Sequence, residues 1–194
     1  MIKAIFRTIT FLGAFWSISF LLVVPAQAAN KKPVPSGIIG TVAADWNKDG
    51  IPDVAVLTTR GGMDADLEVF LSQPDGVWKS AIYAGKIAWH GTLTGRRASI
   101  KLNKRNSIVI HSHNESIGRH RWSKLLTIVY RNKRFLVAGY TADEYDTLDP
   151  GRSSSCDVNY LSGKLVKNKK SLVIKNIAPT VSDWLKQSAV AACR

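Results

Sequence analysis

Apolar and polar residues alternate with a period of two along most of the chain, in short runs broken by turn residues. That is the pattern of half-buried β-strands. A first group of runs covers 38–43, 53–59, 67–72 and 77–84, punctuated by Gly50, Gly61-Gly62 and Pro74-Asp75-Gly76. A second covers 98–102, 107–113, 125–131 and 134–141, with turns at 103–106 and at Asn132-Lys133, the latter a two-residue hairpin connection. A third covers 156–161 and 164–166, joined through Ser162-Gly163, and then 171–174. One stretch departs from this period. Pro179 precedes 181–186, whose apolar positions, continued by Ala189 and Val190, fit a short amphipathic helix. The expected fold is mostly β: an antiparallel meander of propeller-blade-like sheets, as a partial propeller or a sandwich, with a short C-terminal helix. A complete propeller does not fit, because four blades of about 40–45 residues would use nearly the whole chain after residue 29.

Residues 1–29 follow another pattern. Lys3 and Arg7 precede an almost wholly apolar run from Ile9 to Val24, and Ala26-Gln27-Ala28 follows Pro25. A basic start, an apolar stretch and a small-x-small ending are the parts of a secretory signal peptide, here cleaved after Ala28 or Ala29. The alternative, a retained anchor, is disfavoured because the run is near the short end of the roughly 17–25 residues a spanning helix needs. Residues 30–37 (NKKPVPSG) read as a flexible leader, and 38–194 as a single β-rich domain. The expected location is periplasmic or secreted. In such an oxidising space Cys156 and Cys193 are expected to form a disulfide. No C-x-x-C pair accompanies them, so the bond reads as structural.

Charge adds a question about partners. The chain has 27 Lys+Arg against 14 Asp+Glu, a formal net charge of +13. An excess of this size favours anionic envelope polymers such as outer-membrane sugars, lipids or wall material, with nucleic acid disfavoured for an exported chain. Arg119, Arg121, Lys124, Arg131, Lys133 and Arg134 are the residues that would grip such a polymer. The basic residues do not gather into one block, and a solvated surface explains them as well.

One motif carries chemistry. In the segment 45–53, oxygen-bearing side chains fall at loop positions one, three, five and nine, namely Asp45, Asn47, Asp49 and Asp53. Gly50 sits at position six, where the chain must turn sharply, and Ile51 at seven can offer its backbone carbonyl. Calcium takes six to eight oxygens at about 2.3–2.6 Å, and this spacing can wrap them round one point. An EF-hand is excluded, since its bidentate Glu at position twelve is replaced by Val56 within a strand-like run. With Asp53 leading straight into a strand, the segment 38–84 resembles the FG-GAP/VCBS repeats of integrin α-type propellers. The resemblance implies a structural calcium ion, with Asp45, Asn47, Asp49 and Asp53 as side-chain ligands and Ile51 as a carbonyl ligand. Such loops normally recur blade after blade, and this chain carries one copy; the acidic stretch 143–149 lacks the glycine and the spacing. A looser resemblance over 126–164, with the turn Asn159-Tyr160-Leu161-Ser162-Gly163-Lys164, is to the C-terminal part of exported bacterial proteins without a settled activity. It implies no functional residue.

Other constellations are weaker. His111 and His113 face the same side of a strand, and with His90 or His120 they could form an open zinc site of an exported hydrolase. Only Glu115 is at hand as a base, and a polar strand face explains the pair equally well. Ser153-Ser154-Ser155 lacks a G-x-S-x-G elbow and reads as a loop before Cys156. Trp46, Trp78, Trp89 and Trp122 could stack on sugars, although core packing is the commoner use of an aromatic in a β-rich chain. The 111–121 stretch, with Trp122, reads mainly as a solvent-facing loop. The expectation for function is therefore an exported calcium-binding structural or binding module of the cell envelope, with no catalytic set evident. A zinc-dependent hydrolase and a basic polymer-binding module stand as the alternatives, and an envelope polymer or envelope protein as the partner.

Overall fold

Each strand forms where the period-two pattern supplies one apolar face. In the computed structural model, which describes residues 34–186 and Cys193, the run Asp53–Thr59 shows this plainly: Ala55 and Leu57 are fully buried while their neighbours are half-exposed. The strands are β1 (Gly37–Ala44), β2 (Asp53–Thr59), β3 (Asp64–Ser72), β4 (Trp78–Trp89), β5 (Ser99–Leu102), β6 (Ile108–Asn114), β7 (His120–Arg131), β8 (Arg134–Asp146), β9 (Ser154–Asn159), β10 (Lys164–Lys167) and β11 (Lys170–Val173). One helix follows, α1 (Val181–Lys186). The expected signal peptide, the first half of the expected leader (30–33), and Ala189 and Val190 lie outside the described residues. Among the described residues no helix is long and apolar enough to cross a membrane.

All pairings are antiparallel between strands consecutive in sequence. They build a four-stranded sheet, β1-β2-β3-β4, and a seven-stranded sheet running from β11 to β5. The mostly-β meander and short helix read from the sequence are what the structure has. The first group of runs is the first sheet. The second and third groups, which the sequence separates, are one sheet, because the chain leaves β8, turns through 147–153 and pairs straight back as β9. β7 and β8 also start and end further into polar sequence than the pattern predicts. Only 115–119 of the expected solvent-facing loop is a turn, and Arg121 and Trp122 are strand residues.

Two hairpins share one turn chemistry. Asn132 and Lys133 have φ of 51° and 59°, and Asn168 and Lys169 have 48° and 66°. Two successive left-handed residues make the type I′ turn that matches strand twist. The two sheets enclose a common core in which Leu57, Leu67 and Val69 from the first meet Ile108, Ile110, Leu126, Ile128 and Val137 from the second. Val181 at the start of α1 plugs the same core. Thr180 caps the helix: its Oγ1 accepts from Asp183 N at 3.1 Å and donates to Asp183 Oδ2 at 2.7 Å. Cys156 and Cys193 are disulfide-bonded with Cα atoms 5.6 Å apart, as expected. The bond closes a separation of 37 residues, worth on the order of 3–4 kcal/mol by the chain-entropy account.

Candidate functional site

The 45–53 loop joins β1 to β2, and its own side chains hold it in shape. Asp49 N donates to both Asp45 Oδ1 (3.1 Å) and Asn47 Oδ1 (3.0 Å), so two of the expected ligands converge on the backbone of a third. Asp45 Oδ2 accepts from Gly50 N at 2.9 Å, Asp49 Oδ1 accepts from Ile51 N at 2.8 Å, and Asn47 Nδ2 donates to Asp49 Oδ2 at 2.6 Å. Gly50 has φ of +87°, a conformation other side chains resist, which is why glycine stands at the bend.

Asp53 does a different job. It is fully buried, and its two oxygens accept from Trp46 N (2.9 Å) and Ser72 N (3.0 Å). One carboxylate thereby ties the loop to the end of β3. Trp46 continues the tie to the other sheet: its indole Nε1 donates to Asn106 O in the β5–β6 turn at 2.8 Å, and its ring meets Phe135 of β8 edge-on at 5.8 Å. The loop is one joint between the two sheets.

The structure thus brings Asp45, Asn47 and Asp49 together on one exposed turn and places Asp53 beneath it. The donors suit a hard cation by type. Each oxygen named above takes one N–H and retains a second lone pair, and Asp45, Asn47 and Asp49 with the Ile51 carbonyl form an all-oxygen set of the kind calcium prefers. Among the described residues no three His, Cys, Asp or Glu side chains are gathered as a metal cluster; the loop's oxygens include an amide and a carbonyl, and Asp53 is engaged inward.

Two imidazoles meet and the other two stand apart. His111 and His113 stack, with centroids 4.5 Å apart and planes within 15°. His111 Nε2 lies 2.9 Å from Ser123 Oγ. Burial first, then the neighbouring His113 and Lys101, holds the His111 pKa below its ordinary value and favours the neutral ring. His90 Nδ1 accepts from Ala98 N at 3.1 Å, and His120 Nε2 lies 3.5 Å from Glu144. Neither is brought to the stacked pair as a third ligand.

The basic residues are dispersed. Arg119 and Arg121 lie at one end of β7, while Arg131, Lys133 and Arg134 lie at the other, roughly 35 Å away for a strand of this length. Arg119 is engaged by Asp146, whose two oxygens sit 2.9 and 2.7 Å from its Nε. Beside the loop, a concavity of about 460 Å³ is lined by both charges, among them Lys48, Arg105 and Arg131 against Asp45 and Asp157.

A second buried carboxylate has no counterpart among the residues the sequence singles out. Asp66 on β3 is 2 % exposed; it accepts from Lys86 N (2.8 Å), Tyr83 Oη (2.8 Å) and Arg60 Nη2 (3.0 Å), with Arg60 Nε at 2.7 Å. It clamps the irregularity where the β3–β4 register shifts between Ala65 and Leu67 and where Lys86 takes φ of 56°. The sequence carries no signal for it, because Asp64, Asp66 and Glu68 alternate with Ala65, Leu67 and Val69 as solvent-facing acids would. No protein-family model, no curated protein and no solved structure matches the chain.

Proposed function

We propose that this chain is an exported binding or structural module, with no catalytic set evident, in which the 45–53 loop takes up calcium and so fixes a joint between the two sheets. One observation carries the reading. Asp45 and Asn47 converge on the Asp49 amide, while Asp53 and Trp46 connect that same turn to β3 and to the β5–β6 turn. An ion held there would draw like-charged carboxylates together and order a segment on which both sheets depend. Asp45, Asn47 and Asp49 would supply side-chain oxygens and Ile51 its carbonyl, and Asp53, already accepting from Trp46 N and Ser72 N, would add its ninth-position carboxylate only through a remaining lone pair from beneath the turn. Export is supported by the apolar pattern of residues 1–29 and by the Cys156–Cys193 bond, which suits an oxidising compartment.

Thermal melting with excess calcium and with excess EDTA tests the reading. At a calcium concentration about a hundred times Kd, binding to the folded state alone adds about 2.7 kcal/mol. In a domain of this size that raises Tm by roughly 5–10 °C. Asp49→Ala should melt at the same temperature in both buffers. Identical curves for the unaltered protein would remove calcium from the account.

A further inference from the structure

Three of the chain's six tryptophans, scattered in sequence, meet on one groove between the sheets. Its volume is about 330 Å³, at the small end of ligand sites. Trp89 ends β4, Trp122 lies near the start of β7, Tyr140 lies on β8 and Trp184 on α1. All four rings are half-buried, those of Tyr140 and Trp184 against the core. The rings are held in pairs. Trp89 and Trp122 meet at 5.3 Å and 63°, and Tyr140 and Trp184 at 5.9 Å and 50°. Trp89 is fixed further by the Arg96 guanidinium stacked 4.6 Å from its centroid and by Ser112 Oγ, which donates to the Trp89 carbonyl at 2.9 Å.

Two ammonium groups share this groove with one carboxylate. Lys124 Nζ stands 4.8 Å over the Trp122 ring. Lys86 lies 3.4 Å from Asp64 Oδ2, and its backbone is the one the buried Asp66 clamps in a left-handed conformation. The Asp64 carboxylate offsets one of these cations, so Lys124 leaves the groove with a net positive charge. Rigid aromatic faces beside a cation suit a ring with an apolar C–H face and an anionic edge.

We propose that this groove binds an acidic sugar, a pyranose unit bearing one carboxylate, with its apolar face against the Trp122 ring, which Trp89 buttresses, and its carboxylate on Lys124. The positive net charge of the whole chain, +13 by formula, favours the approach of the polyanion such units compose. The proposal concerns a site separate from the 45–53 loop and does not rest on calcium.

The test is a titration of the purified chain, in EDTA, with a trisaccharide of galacturonic acid, followed by tryptophan fluorescence and calorimetry. The neutral galactose trisaccharide and a short oligothymidylate serve as controls. The expected result is saturable quenching by the uronate, at least tenfold weaker binding of the neutral sugar, and weakening as salt rises. Lys124→Gln, which leaves the aromatic rings in place, should lower uronate affinity to that of the neutral sugar, and Trp122→Ala should abolish binding in a chain that still folds by circular dichroism. No saturable response, equal affinity for the neutral sugar, a preference for the oligothymidylate, or an unchanged Lys124→Gln variant would overturn the proposal. Because calcium is absent throughout, failure here leaves the loop reading untouched, and the reverse holds for the melting experiment.

Discussion

Asp66 shows what a single residue decides in this fold. Burial alone would push its carboxyl up, but the Lys86 amide, the Tyr83 hydroxyl and the Arg60 guanidinium together hold its pKa below the usual carboxylate range. A carboxylate whose folded pKa is lowered contributes stability that is complete above its unfolded value, about 3.9, and lost as pH falls through the folded one. The melting temperature should therefore fall on acidification below about pH 4. In Asp66→Asn this part of the acid dependence should be absent. The same variant should lose about 2–3 kcal/mol at neutral pH, since an amide cannot accept all four donors and leaves one of them buried unpaired. Urea unfolding at pH 7 and pH 3 checks both. Equal acid sensitivity in the two proteins would assign the effect to other carboxylates, Asp146 beside Arg119 first. No sequence pattern exposes this residue, because an acid in a strand ordinarily faces water and only the β3–β4 irregularity turns it inward.

At the scale of elements, the sequence was most legible where turn chemistry and alternation agree. The run 53–59 is β2 with the boundaries the pattern implies, and Asn132-Lys133 is the two-residue hairpin expected. It was least legible where polar residues pair across strands. His120 opposite Asp146 and Trp122 opposite Glu144 extend β7 and β8 through a stretch that reads as loop. Their partners are distant in sequence, so only the ladder shows the strand. The I′ hairpin gives a direct test of backbone strain. Asn132 at φ of 51° is exposed at the tip of β7–β8, and a β-branched residue there is disfavoured by about 1–2 kcal/mol. Asn132→Val should lower stability by that amount in chemical unfolding, with Asn132→Gly near neutral. Equal stability of the Val and Gly variants would contradict the turn assignment.

At the scale of the whole molecule, two sheets of unequal size share one core, and specific links hold them together. The Asp53–Trp46–Asn106 chain of hydrogen bonds links them at the loop, Val181 closes the core from α1, and the Cys156–Cys193 bond ties the C-terminal residues to β9. The sequence disclosed the loop, the disulfide and the helix because each has a local signature. It did not disclose that Trp89, Trp122 and Trp184 share a groove, because their meeting depends on how the sheets face one another. Whether the loop joining β1 and β2 takes up calcium, as proposed, is read from calorimetric titration of the EDTA-stripped, desalted protein with calcium. One saturable site per chain, lost in Asp49→Ala, is the predicted result. The absence of any binding heat at several temperatures, with the protein folded throughout, would contradict it.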